Sequence, residues 1–215
     1  MMLGARTAAW TKSGSPTPTA YGGLRFTAEA DNSTVQLTAV GSAPAVTLVK
    51  SFDGVNWEDY AVGEVIELPS IGKYVYLAAG ESGNETFGSS ASNYHKFVIN
   101  GLVASSGDIT SILNFDCAQT TLANFCYSHM FYGCTGLTSA PELPATTLAN
   151  SCYSYMFYGC VQLSLIKVHF TAWGSQTSKW VSNVASTGTF YKPSALPDEF
   201  STDRIPTGWT VVNID

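Results

Sequence analysis

Apolar and polar residues alternate through most of the chain from Tyr21 to about Ala104. Leu24, Phe26 and Ala28 are spaced by polar residues, as are Val35, Leu37 and Ala39, with Asp31-Asn32 between them as a turn. Val46-Thr47-Leu48-Val49 runs up to Asp53-Gly54, a hairpin signal, and Val55-Asn56-Trp57 leads away from it. Further strands are predicted over 64–68, 73–78 and 96–103, with a Gly/Ser/Asn-rich loop over 80–93. Short strands at close spacing with no helical period predict an antiparallel β-sandwich over 21–104. Residues 1–20, rich in Ser, Thr, Pro and Gly, read as an arm that precedes it.

After 104 the pattern changes. Asp108 precedes apolar Ile109, Ile112 and Leu113, so a short helix capped by Asp108 is predicted. Then a block of fifteen residues occurs twice: TTLANFCYSHMFYGC at 120–134 and TTLANSCYSYMFYGC at 146–160, an offset of 146 − 120 = 26 residues. A fixed period of this size marks a solenoid, whose units bury their apolar faces only by stacking on one another. Leu137 to Pro144 suits a short strand and turn, and 124–133 suits a helical turn. Read as a helix, it carries Cys126, Met130 and Cys134 at i, i+4 and i+8 toward the core, and Phe125, His129 and Tyr132 on another face. Past Cys160 the pattern decays. A last short helix is expected over 179–184, and closing strands at 189–191 and 209–212. The fold class is therefore mainly β with short helices: a sandwich, then a short repeat solenoid over 105–170, closed by a C-terminal cap over 171–215.

Charge narrows the function. Only 12% of residues are charged, against 45% hydrophobic, and the net charge is −6. No Lys or Arg lies between Lys96 and Lys167, so the repeats carry no cation to neutralise phosphate, and nucleic-acid binding through them is not expected. The first twenty residues hold no apolar run longer than Ala8-Ala9-Trp10, which fits neither a secretory signal nor a membrane anchor. On that expectation the sequons at Asn32 and Asn84 carry no glycan.

Of five cysteines, four are locked to the repeat: Cys126 with Cys152 and Cys134 with Cys160, while Cys117 stands apart. A disulfide framework and a ladder of small buried thiols both fit, and the ladder is preferred because a thiol inside a stacked core behaves as a small hydrophobe. No CxxC or CxH spacing suggests a metal, and no cofactor motif occurs. Asp53, Glu58 and Asp59 crowd one hairpin and offer a calcium reading, against which hairpin turns are acidic for ordinary reasons. Only His95, His129 and His169 could serve as a base near neutral pH, and none sits in a nucleophile or metal motif, so no enzyme is expected.

The segment FYGCTGLTSAPELPATTLANSCYSYMFYGC resembles the BspA-like leucine-rich repeats of gut bacteria and their phages, whose refrain is close to CTxLTxAPxLPATTLAxxCYxxMFxGC. SFDGVNWEDY and SASNYHKFVINGLVASSGDITSILN resemble the β-rich module that precedes such repeats, and WVSNVASTGTFYK with IPTGWTVVN resembles their ending. SFDGVNWEDY also resembles Asp-box and discoidin-type hairpins, which are structural in their folds. The resemblance implies a non-catalytic surface or virion protein with a role in adhesion.

The two copies differ at only two positions, Phe125/Ser151 and His129/Tyr155. These positions, with Tyr132 and Tyr158, define an expected outer stripe whose exposed rings suit contact with a glycan or protein; simple drift of outer positions explains the same differences. Tyr127, Phe131, Tyr153 and Phe157 are expected between coils. With no charge near the stripe in sequence, binding there is expected to be insensitive to salt. The function expected is a phage virion fibre or decoration protein that adheres to a host or gut surface ligand. The alternatives are a purely structural capsid or fibre subunit and a bacterial cell-surface adhesin. Expected partners are other virion proteins, held through the arm with Trp10 as anchor, and a host-surface glycan or protein; a homo-oligomer is compatible with both. Neither nucleic acid nor membrane insertion is expected.

Overall fold

The computed structural model describes residues 21–119 and 121–214; the arm and Trp10 lie outside them. Nine strands precede residue 107: β1 (Arg25–Ala28), β2 (Ser33–Val40), β3 (Leu48–Ser51), β4 (Glu58–Tyr60), β5 (Val65–Leu68), β6 (Tyr74–Ala79), β7 (Gly88–Ser90), β8 (Asn93–Asn100) and β9 (Val103–Ser106). Five follow: β10 (Leu137–Ser139), β11 (Glu142–Leu143), β12 (Leu165–Val168), β13 (Thr189–Lys192) and β14 (Thr210–Asn213). Helix is almost absent among the described residues, being confined to 3-10 turns at Ile109–Ile112 and Ser175–Thr177. The first is capped as expected, the Asp108 carboxylate accepting from the Thr110 N–H at 2.7 Å.

The alternating segments form a sandwich. One sheet has the order β10-β9-β1-β6-β3-β4 and the other β5-β2-β8-β7, antiparallel apart from the parallel β9–β10 pair. Leu24, Phe26, Val35 and Leu37 all point inward and are fully buried. The Phe26 and Phe97 rings meet across the interior, 4.8 Å apart. The strand expected over 96–103 is instead two. Gly101 takes a φ of 77°, which a side chain resists, and there the chain leaves β8 in one sheet for β9 in the other.

The repeats are not helical. Phe125, His129 and Gly133 have φ of 59°, 61° and 74°, and Ser151, Tyr155 and Gly159 have 54°, 57° and 77°. Every fourth residue is thus left-handed, which no α-helix allows. Between these corners, alternate N–H groups bond within the coil: Ser128 to Phe125, Met130 to Tyr127, Tyr132 to His129. The others reach the next coil: Phe125 to Asn150, Tyr127 to Cys152, His129 to Ser154, Phe131 to Met156 and Gly133 to Tyr158. A helix would satisfy each N–H internally. Here a neighbouring coil offers carbonyls in register, so half the donors turn outward and the chain folds as a run of tight turns. The segment expected as a last helix repeats this geometry. Lys179 and Asn183 are left-handed at 49° and 59°, and Tyr155, Phe157 and Gly159 donate to Ser178, Trp180 and Ser182. It is a third copy with divergent letters.

The sandwich supplies the rung before the first copy. Phe97 of β8 donates to Met130 at 2.7 Å, and Phe87 donates to Cys126 at 3.1 Å, as Phe131 and Tyr127 do to the coil after them. Two internal columns of rings follow. Phe97, Phe131 and Phe157 lie 5.2 and 5.5 Å apart; Phe87, Tyr127 and Tyr153 lie 6.4 and 6.1 Å apart, and both columns end on Trp180. On another side of the coils, β11, β12, β13 and β14 form a wholly parallel sheet. One apolar core runs from Leu24 to Trp209 without a break.

All five cysteines are free thiols. Cys134 and Cys160 donate through Sγ to the Phe97 and Phe131 carbonyls, at 3.1 and 3.0 Å, tying each coil to the rung before it. Burial raises the Cys126, Cys134 and Cys152 thiols to about 12.

Candidate functional site

The left-handed corners determine what the coils show to solvent. Residues after the corner, at Cys126, Met130 and Cys134, turn inward and are buried, as do Tyr127 and Phe131. The corner residue itself and Tyr132 turn outward and are half-buried. Because neighbouring coils run in register, outward rings stack on their equivalents. His129 lies 4.9 Å from Tyr155 with the planes 5° apart, and Tyr132 lies 5.1 Å from Tyr158 with the planes 8° apart. Side contacts of 5.5 Å (His129–Tyr132) and 5.8 Å (Tyr155–Tyr158) join the columns into one patch.

The structure brings together four of the five repeat residues singled out from sequence, and adds three that the sequence did not reveal. Tyr94 of β8 stacks on His129 at 4.4 Å and 15°, extending the first column onto the sandwich. Lys96 lies over the Tyr132 ring and Lys179 over the Tyr155 ring, each at 5.8 Å, so a cation stands at either end of the patch. The expectation of a charge-free stripe is therefore overturned: these lysines are remote in sequence and adjacent in space. Neither forms an ion pair among the described residues. Tyr94 and Lys96 share an outward face of β8, which alternation signals; Lys179 becomes visible only once the third copy is seen. Phe125 is the exception among the predicted residues. It occupies the corresponding corner one turn earlier, half-buried, and the contacts of the two columns do not include it.

Stacking fixes what the patch can do. Faces of the inner rings are covered by their neighbours, so a ligand meets ring edges, phenol hydroxyls and imidazole nitrogens rather than open π-faces. Each stacked pair also contributes about 0.5–1.5 kcal/mol to holding the coils together. His129 is oriented by Ser128, whose Oγ lies 2.8 Å from Nδ1 and 3.2 Å from the Ser154 carbonyl. Burial, then the charge of Lys96, lowers the His129 pKa and keeps the ring neutral near pH 7.

Other candidates from sequence disperse. Asp53 turns back on its own hairpin, accepting from Val55 N at 2.8 Å, Asn56 N at 2.7 Å and Asn56 Nδ2 at 2.6 Å. Those bonds hold its carboxyl well below the usual range. Glu58 faces Lys50 at 3.5 Å, so the acidic residues of the hairpin do not converge on one point. Among the described residues no group of three His, Cys, Asp or Glu is placed to hold a metal ion. His95 is buried with Nδ1 against the Phe87 carbonyl, and His169 pairs with Glu142 at 2.6 Å, which also holds Lys167 at 2.8 Å. Trp57 packs behind the hairpin, 4.9 Å from Tyr21 and 4.8 Å from Phe115.

Compared with known protein families, with curated proteins and with solved structures, the chain matches none.

Proposed function

We propose that the chain is a non-enzymatic surface protein of a phage particle, built on a short BspA-like repeat solenoid, that adheres to its target through the face bearing Tyr94, His129, Tyr132, Tyr155 and Tyr158. The observation that carries this reading is the pair of outward ring columns in one register, the first of them continued onto the sandwich by Tyr94. A rigid, regularly spaced row of hydroxyls loses little conformational entropy on binding, which suits a polar polymer or protein surface with its own repeat. The repeat refrain, which resembles repeats of both gut bacteria and their phages, supports the surface role. A purely structural role has one observation in its favour: β14 is the last strand of its sheet and its own Val211 and Val212 are partly exposed, a ready seat for another subunit.

The test is replacement of Tyr155 and Tyr158 by Ser. Serine suits the left-handed corner, because Ser151 already occupies its counterpart at a φ of 54°. Adhesion to host cells or to arrayed glycans is expected to fall at least tenfold, about 1.4 kcal/mol, with the fold retained. Because Lys96 and Lys179 flank the patch, adhesion also weakens moderately as salt rises. Full adhesion by the double variant would overturn the reading.

A further inference from the structure

The outer face of the six-stranded sheet carries a second apolar cluster, separate from the main core. Trp57, Tyr76 and Ala78 form it, with Tyr21, Val49, Tyr74 and Phe115 against them. Tyr21 stands edge-on to Trp57 at 4.9 Å and to Tyr76 at 5.6 Å, and its hydroxyl donates to the Phe115 carbonyl at 2.7 Å. Beside it runs a groove of about 460 Å³ across β3 and β4, walled by Trp57, Phe115 and Val49 and rimmed by Glu58, Asp59 and Glu81. Glu58 shares Lys50 with Glu64, whereas Asp59 and Glu81 form no ion pair among the described residues. The strand under the rim, β4, is the last of its sheet. An aromatic wall, an acidic rim and an open strand edge suit an extended peptide carrying cations and an aromatic side chain.

We propose that this groove seats the chain's own residues 1–20, with Trp10 against Trp57 and Phe115, and Arg6 and Lys12 toward the carboxylates. Charge fits: residues 1–20 contain Arg6 and Lys12 and no Asp or Glu. Connection fits as well, because the residue that follows them, Tyr21, is itself part of the cluster forming the groove wall. Reach is ample, since an extended chain spans about 3.3 Å per residue and the groove begins next to Tyr21. The proposal is independent of the adhesive face, which lies on the β8 side of the sandwich.

Trypsin and mass spectrometry of the full chain read the seat directly, through the rates of first cleavage after Arg6 and Lys12. Cleavage in the unmodified chain is expected to be at least about tenfold slower than in Glu58→Lys/Asp59→Lys/Glu81→Lys and in Trp10→Ala, because a protease cuts only the released segment. High salt should narrow that gap. If the triple variant does not fold, Glu81→Lys alone, at an exposed position past β6, takes its place with a smaller expected gain. Equal cleavage rates in the unmodified chain and the variants would overturn the proposal. So would protection that rises with protein concentration alongside a dimer in sedimentation, since the occupant would then be a second copy's arm.

Discussion

The left-handed corner at Tyr155 allows a test that separates the turn ladder from a helix by sign as well as by size. Replacing Tyr155 with Val or with Gly removes the same stack on His129, seen at 4.9 Å, worth about 0.5–1.5 kcal/mol in either variant. The backbone term then diverges. A β-branched residue at a φ of 57° adds about 1 kcal/mol or more of strain, whereas Gly releases the roughly 1 kcal/mol that Tyr already bears there. Tyr155→Val is therefore expected to cost about 1.5–2.5 kcal/mol or more, and Tyr155→Gly to lie within about 0.5 kcal/mol of the unmodified chain. In a helix the order reverses, because Gly is the poorer helix former by a few tenths, about 0.3 kcal/mol. Urea unfolding of both variants, compared by midpoint at constant slope, reads the difference. If the Val variant proves as stable as the Gly variant or more so, the corner is not left-handed in solution and the account of the coils is wrong.

Burial depresses the His95 pKa below 6.5, and His129 shifts the same way, so below pH 6.5 the unfolded chain binds more protons than the folded one. Stability should thus be present above about pH 6.5 and fall as the pH drops below it, and His95→Gln should flatten that decline; a decline of unchanged slope would refute it. Thiol titration of denatured, unreduced protein should count five groups, and native protein at about pH 8 should react slowly even at half-buried Cys117, whose thiol burial raises to about 11. A denatured count of one or three would show disulfides. A Cβ at Gly136 would collide with the Gly101 carbonyl, so Gly136→Ala should cost more than about 2 kcal/mol and lower the melting temperature by several degrees.

The sandwich was legible because a strand with one buried face writes its period into the sequence, as at Leu24-Phe26-Ala28 and Val35-Leu37. The coils were legible as repeats but not as turns. Cys126, Met130 and Cys134 recur at intervals of four, close enough to 3.6 to pass for a helical stripe over two turns. Glycines at 133 and 159, in step with the variable corners, were the available sign that the period was four. The third copy was hidden because its side chains changed while its backbone did not; Asn183, a residue that tolerates the left-handed region, is what remains. The outer stripe came out nearly right for a wrong reason, since a four-residue period also places His129 near Tyr132. Its lysines were out of reach, because only the fold brings Lys96 and Lys179 beside those rings.

The in-register bonding between coils has a consequence for how such a chain can grow. Each coil donates N–H groups to its successor's carbonyls as its predecessor donates to its own, and Phe97 of β8 is among the first of these donors. A duplicated block of 26 residues would find its bonding partners already waiting on both sides, with no other segment obliged to move. Every insertion would lengthen the aromatic face by one strand spacing, about 4.8 Å, and add a tyrosine or histidine to each column. The length of the contact surface is then a heritable variable, set by unequal copying of one short stretch of DNA rather than by point mutation.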